Sequence, residues 1–168
     1  MGAQGTTGVT EFVETGACEL LVTRSFAAPP ELLFAAYTDP RLIPRWMTGP
    51  DGWSMPICEL DLRVDGRWHF VWRQSAGSEM AMRGTYREVA PPSRLVSTES
   101  WGAPWPDSVN TLVLTSDAET THLSLTITFA SAEARGAATA TGMRAGMGQS
   151  YARLDALLAL VLRERNGA

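Results

Sequence analysis

Lysine is absent from this chain: all 14 basic residues are Arg. Schiff-base chemistry and a lysine general base are thereby excluded. Cysteine occurs only at Cys18 and Cys58, with no CxxC, so a Cys-rich zinc site is excluded. Two buried thiols are the expectation, rather than a disulfide. Histidine occurs only at His69 and His122, and neither HxxxH nor HExxH is present. A GxSxG nucleophile elbow is missing too. The expectation is therefore no metal, no cofactor and no assigned catalytic residue. No stretch approaches the roughly 18 consecutive apolar residues of a membrane span. The opening MGAQGTTGVTEFVETGA lacks both a basic n-region and an apolar h-region, so the cytoplasm is the expected compartment. A net charge of −4 disfavours an unspecific grip on nucleic acid or anionic lipid.

What remains is a chain of 168 residues, 45% hydrophobic and 19% charged, which suits one folded domain. Residues 1–16, rich in Gly and Thr and without a clear period, read as a leader; 17–168 read as a single domain. Cys18–Phe26 is a strand signal. Pro29-Pro30-Glu31 then opens a short helix through Leu32, Leu33, Phe34, Ala36 and Tyr37. Thr38-Asp39-Pro40 stops it and caps a second short helix to about Arg45. From Pro56 to Phe129 the period is mostly two. Cys58, Leu60, Leu62 and Val64 alternate with polar residues, and Asp65-Gly66 reads as a two-residue hairpin turn. Trp68, Phe70 and Trp72 share one face of the next strand, and Met80, Met82, Gly84 and Tyr86 one face of its neighbour. Strands at Leu95–Trp101, Val109–Thr115 and His122–Phe129 follow. The period then turns helical: Ser131-Ala132-Glu133 starts a helix, Gly136 and Gly142 weaken it, and Met143, Met147, Tyr151, Leu154, Leu158 and Val161 form one stripe. The predicted class is α+β. A curved antiparallel sheet of about six or seven strands wraps a long C-terminal helix, with two short helices after the first strand.

On these residues the chain resembles the START/Bet v 1-like helix-grip superfamily. Within it, the chain is similar to bacterial relatives of the C-terminal domain of the Hsp90 ATPase activator. The resemblance is carried by Phe26-Ala27-Ala28-Pro29-Pro30-Glu31-Leu32-Leu33-Phe34, Tyr37-Thr38-Asp39-Pro40, Arg45-Trp46, Asp61–Trp68, Gly84–Val89 with Pro91–Val96, and Gly146-Met147 with Ser150 and Leu154. It spans about Glu19 to Leu160. Trp46-Met47-Thr48-Gly49-Pro50 is one residue longer than the family's Trp-Trp-Gly-Pro. Met147 stands where a Trp is common, and Asp65-Gly66 where the family has paired glycines. The resemblance implies a scaffold shared by carriers, cyclases, hydroxylase domains and chaperone-binding domains, so function must come from the site.

Twelve residues are candidates for lining a cavity: Phe34, Trp46, Trp68, Phe70, Trp72, Met80, Met82, Tyr86, Trp101, Met143, Met147 and Tyr151. Aromatic and thioether groups suit an apolar small molecule. The alternative is that they simply fill a core. Glu88 shares parity with Tyr86, and Glu99 with Trp101; either would have a raised pKa if it entered the cavity. Glu59 and Asp61 read as solvated, or paired with Arg63. The leading expectation is non-catalytic binding of a small hydrophobic or amphipathic molecule by a monomer or homodimer. The alternatives are a cyclase- or lyase-type enzyme acting on a polyketide-like substrate in the same cavity, and an Hsp90-type chaperone-interaction module.

Overall fold

The computed structural model describes residues 7–167. Eight strands form one antiparallel sheet: β1 (Glu11–Thr15), β2 (Glu19–Phe26), β3 (Trp53–Leu60), β4 (Arg67–Gln74), β5 (Glu79–Ala90), β6 (Arg94–Glu99), β7 (Ser108–Asp117) and β8 (Thr120–Thr128). Their order is β1-β2-β8-β7-β6-β5-β4-β3. Between β2 and β3 lie α1 (Pro30–Thr38) and α2 (Ile43–Trp46); after β8 come α3 (Ala132–Thr139) and α4 (Met143–Gly167).

The strand count exceeds the six or seven expected. The extra strand is β1, inside the span read as a leader; residues 1–6 lie outside the described residues. Its burial pattern has no strict alternation, because an edge strand buries little of either face. Pairing with β2, from Glu11 opposite Thr23 to Thr15 opposite Glu19, is what orders it. A second difference concerns Leu62 and Val64. Both are exposed, in a loop rather than a strand. The turn spans Asp61 to Gly66, closed by Asp61 N donating to Arg67 O and Gly66 N to Arg63 O (2.9 and 2.8 Å), instead of being a two-residue hairpin.

The short helices follow their sequence signals. Pro30 stands at the start of α1 with Glu31 in its first turn, and Leu32, Leu33, Phe34 and Ala36 are buried. Ser131 caps α3, its side chain accepting from Ala134 N at 3.0 Å. The chain then breaks at Gly142, whose φ of +82° suits glycine, and α4 starts anew.

Helix α4 lies against the sheet face that carries Leu20, Val22, Arg24 and Phe26. Phe26 meets Tyr151 edge to face at 5.8 Å, and Arg24 pairs with Asp155 beneath the helix. Arg24 is 4% exposed and also donates to Thr10 Oγ1 at 2.8 Å. Such a buried charge is tolerated only because it is paired.

Candidate functional site

Sheet register decides which side chains face α4. One continuous row runs Glu14–Leu20–Ile127–Asn110–Ser97–Tyr86 across β1, β2, β8, β7, β6 and β5. Directly opposed residues share a face, so Asn110, Ser97 and Tyr86 look inward with Leu20. Alternation then brings Glu99 onto that face as well. The first turns of α4 meet the β1 end of this row, where Arg144 reaches Glu14 at 3.4 Å, and Met143 and Met147 pack on the core. Leu20, Ile127 and Tyr86 are buried, yet Ser97, Asn110 and Glu99 remain only half-buried. Half-buried too are Cys58 and Leu60, which oppose the inward Phe70 and Trp68. The seam is tight over β2 and β8 and loosens over β6 and β7.

An aromatic ladder forms its floor. Trp68 and Phe70 are 4.9 Å apart, Phe70 and Trp72 6.2 Å, and Trp72 stacks on Trp101 at 5.8 Å. Trp68 lies over Gly84, where a Cβ would fall 2.6 Å from its Nε1 and 1.9 Å from Thr98 O. That glycine is required by the close approach of ring and backbone. Trp72 Nε1 donates to Met47 O at 2.6 Å, tying the ladder to the loop after α2.

The polar pole of the seam is Glu99. Trp101 Nε1 donates to its Oε1 (2.7 Å) and Asn110 Nδ2 to its Oε2 (2.5 Å). Burial raises the Glu99 pKa, and these two hydrogen bonds pull against that rise. Asn110 Oδ1 and Trp68 Nε1 are buried without a hydrogen-bond partner. Glu88, in contrast, faces outward. A bulge between Tyr86 and Glu88 reverses strand parity, so Glu88 opposes Val96 and pairs with Arg94 at 2.9 Å.

At the far end, the Tyr37 and Tyr151 hydroxyls share a hydrogen bond of 2.8 Å, and Trp46 stacks on Tyr151 at 6.0 Å. Trp46 Nε1 donates to Ala36 O at 2.9 Å, which places this ring in the packing of α1 against α2. Burial pushes Tyr151 up to about 12 and raises Tyr37 and Tyr86; it pushes the Cys58 thiol up to about 11, with the charge of Asp39 adding to the rise. At neutral pH these are neutral hydrogen-bonding groups.

Of the twelve candidate lining residues, Phe34, Trp46, Trp68, Phe70, Trp72, Met82, Tyr86 and Tyr151 are buried in one cluster with Met143 and Met147 packed on it. Met80 and Trp101 are about two-fifths exposed, at 41% and 40%, and sit at the rim. Asn110 was missed, although Asn at an inward parity among Leu112 and Leu114 is an anomaly that strand propensity would flag. His69 opposes Arg83, and His122 meets Ser25 Oγ at 2.7 Å; both are on the face away from α4. Among the described residues no group of three or more His, Cys, Asp or Glu is placed to hold a metal. Asp61 pairs with Arg63 at 2.7 Å, and both cysteines are free.

Two open grooves flank α4. One of about 290 Å³ is lined by Arg45, Arg153, Ala156, Leu157 and Leu160. Another of about 440 Å³, lined by Pro50, Asp51, Gln149 and Arg153, runs between the α2–β3 loop and the helix. No helix among the described residues is long and apolar enough to cross a membrane.

Comparison with solved structures finds the same architecture elsewhere. A protein from Rhodobacter sphaeroides is 32% identical, with 90% of this chain and 99% of that one covered and a TM-score of 0.84. The AHSA1 protein from Silicibacter pomeroyi is 26% identical over 84% and 98% of the two chains, with a TM-score of 0.69. An HSP90 activator from Plasmodium falciparum is 25% identical over 67% and 73%, with a TM-score of 0.51. A search of curated proteins gave no match. The family model described as activator of Hsp90 ATPase homolog 1-like protein matches residues 27–159. With its helix-grip fold and this match over most of its length, the chain belongs to the activator of Hsp90 ATPase homolog 1-like family.

Proposed function

We propose that this protein binds a small, largely apolar molecule in the seam between the sheet and the first half of α4, without transforming it. One observation carries the reading. The inward face over β4, β6 and β7 holds a half-buried carboxylate, a buried unpaired acceptor and a buried unpaired indole N–H beside an aromatic ladder. Each such orphaned atom costs about 1–3 kcal/mol in a core that serves stability alone. A guest that satisfies them would offset that cost. Trp68, Phe70, Trp72, Met82, Met143 and Met147 supply apolar area, with Tyr86 and Glu99 giving orientation. Phe34, Trp46 and Tyr151 form the packed end against which the guest stops, and Met80 and Trp101 form the rim.

The test is an NMR screen of fatty acids, polyketide-like aromatics and flavonoids against the labelled protein. Hits that shift the indole resonances of Trp68 and Trp101 support the reading. Hits that all map outside the seam overturn it.

A second reading, a cyclase- or lyase-type enzyme in the same seam, is favoured by the raised pKa of Glu99, which suits a proton donor. It requires that Glu99→Gln and Tyr86→Phe lower turnover while leaving ligand affinity near the wild-type value.

A further inference from the structure

The free hydrogen-bonding capacity at the polar pole is unbalanced. Asn110 spends its N–H on Glu99 Oε2 and Trp101 spends its N–H on Glu99 Oε1. What is left there is acceptor capacity: the second lone pairs of both Glu99 oxygens, and Asn110 Oδ1, which is buried and unpaired. With Glu99 ionised, the amide cannot turn over to relieve this, because Oδ1 would then face a carboxylate oxygen. Nor does the protein supply a cation. The ion pairs among the described residues take Arg24, Arg41, Arg63, Arg73, Arg94, Arg135 and Arg144 to Asp155, Asp39, Asp61, Glu79, Glu88 and Glu14, and none reaches Glu99. Trp101 holds Glu99 and stacks on Trp72, and indole faces attract cations.

We infer that the molecule held in the seam is an organic ammonium: an apolar body, flat or extended, ending in a protonated amine that docks on Glu99 and Asn110 Oδ1. This rests on the binding reading above and deepens it. An ammonium brings several N–H donors to Asn110 Oδ1 and the free lone pairs of Glu99, and its charge compensates a half-buried carboxylate. A carboxylate ligand would meet the like charge of Glu99, with only neutral donors, Trp68 Nε1 and the Tyr86 and Ser97 hydroxyls, on the same face. An alcohol would satisfy one acceptor and leave the charge unpaired.

Two matched series test this: tryptamine, tryptophol and indole-3-acetate, and decylamine, decanol and decanoate. Each is titrated into the protein, with the Trp indole resonances and the Glu99 carboxyl carbon as readouts. In at least one series the amine is expected to bind about tenfold or more tighter than its alcohol, the worth of a charge-assisted bond. Followed through a pH titration, the Glu99 carboxyl carbon should report a pKa that falls on binding the amine and not on binding the alcohol. Glu99→Gln should weaken the amine about tenfold and the alcohol by less than about threefold. The carboxyl signal in the unaltered protein gives the answer even if that variant fails to fold. Alcohol or carboxylate binding in the seam as tightly as the amine overturns the ammonium assignment and leaves the binding reading standing. If no member of either series shifts the seam resonances, the assignment is overturned as well. The binding reading then falls only if the wider screen of neutral and acidic compounds also misses the seam.

Discussion

Arg24 and Glu99 show opposite solutions to burying a charge. Arg24 is compensated within the fold, by Asp155 of α4 and Thr10. Asp155→Ala should therefore cost about 3 kcal/mol in urea unfolding, because it strands the guanidinium. Replacing both partners with apolar residues of similar size should cost markedly less. Glu99 has hydrogen bonds but no counter-charge, and its pKa is raised from an ordinary 4.5. A raised carboxyl pKa means that the ionised form is penalised by folding. The stabilising effect of the protonated group is complete below its unfolded value and is lost as pH rises through the folded value. Glu99→Gln is thus expected to be more stable than the parent at pH 7, with the difference shrinking towards zero in acid. Urea midpoints at the two pH values measure it. An unchanged difference would mean that the carboxyl is not penalised by burial.

At the scale of elements, glycines separate what is packed from what is free. Gly84 has no room for a Cβ, which would strike Thr98 O at 1.9 Å, and Gly84→Ala should cost about 1–3 kcal/mol. In α4 the reverse holds. A Cβ at Gly146 or Gly148 meets nothing within 4 Å, so close packing does not require either glycine. Each replacement by Ala should stabilise by about 0.5–1 kcal/mol, read as a rise in Tm. These two glycines soften the first turns of α4, and a gain in stability coupled to slower ligand entry would tie the softness to the site. The β5 bulge is the other decisive element. It sends Glu88 outward to Arg94 and leaves Tyr86 inward.

For the whole molecule, the tight and loose ends of the seam predict a gradient of local stability. Amide exchange should be slowest in β2 and β8, where Leu20, Val22 and Leu123 are sealed. It should be fastest in α3 and the first turns of α4. A ligand at about 100 times its Kd should add about 2.7 kcal/mol and slow exchange first in those turns. Uniform slowing, or slowing confined to the outer grooves beside α4, would place the ligand elsewhere.

Much of this architecture is legible in the residues. β-forming residues mark β2, period-two patterning marks β3–β8, Pro29-Pro30-Glu31 marks α1, Ser131 marks α3, and the Met143–Val161 stripe marks α4. These signals are local, since each depends on spacing within one segment. Edge strand β1 escaped because it buries too little to alternate, and the Asp61–Gly66 turn because its closure depends on backbone bonds across the hairpin. The site was half legible. Composition named the aromatic and thioether set, and parity put Glu99 with Trp101. Only the assembled sheet could show that a bulge expels Glu88 and that register brings Asn110 to Glu99. Side-chain direction along a strand is written in the sequence, but which strands lie side by side, and in what register, is settled by the packing of the whole chain.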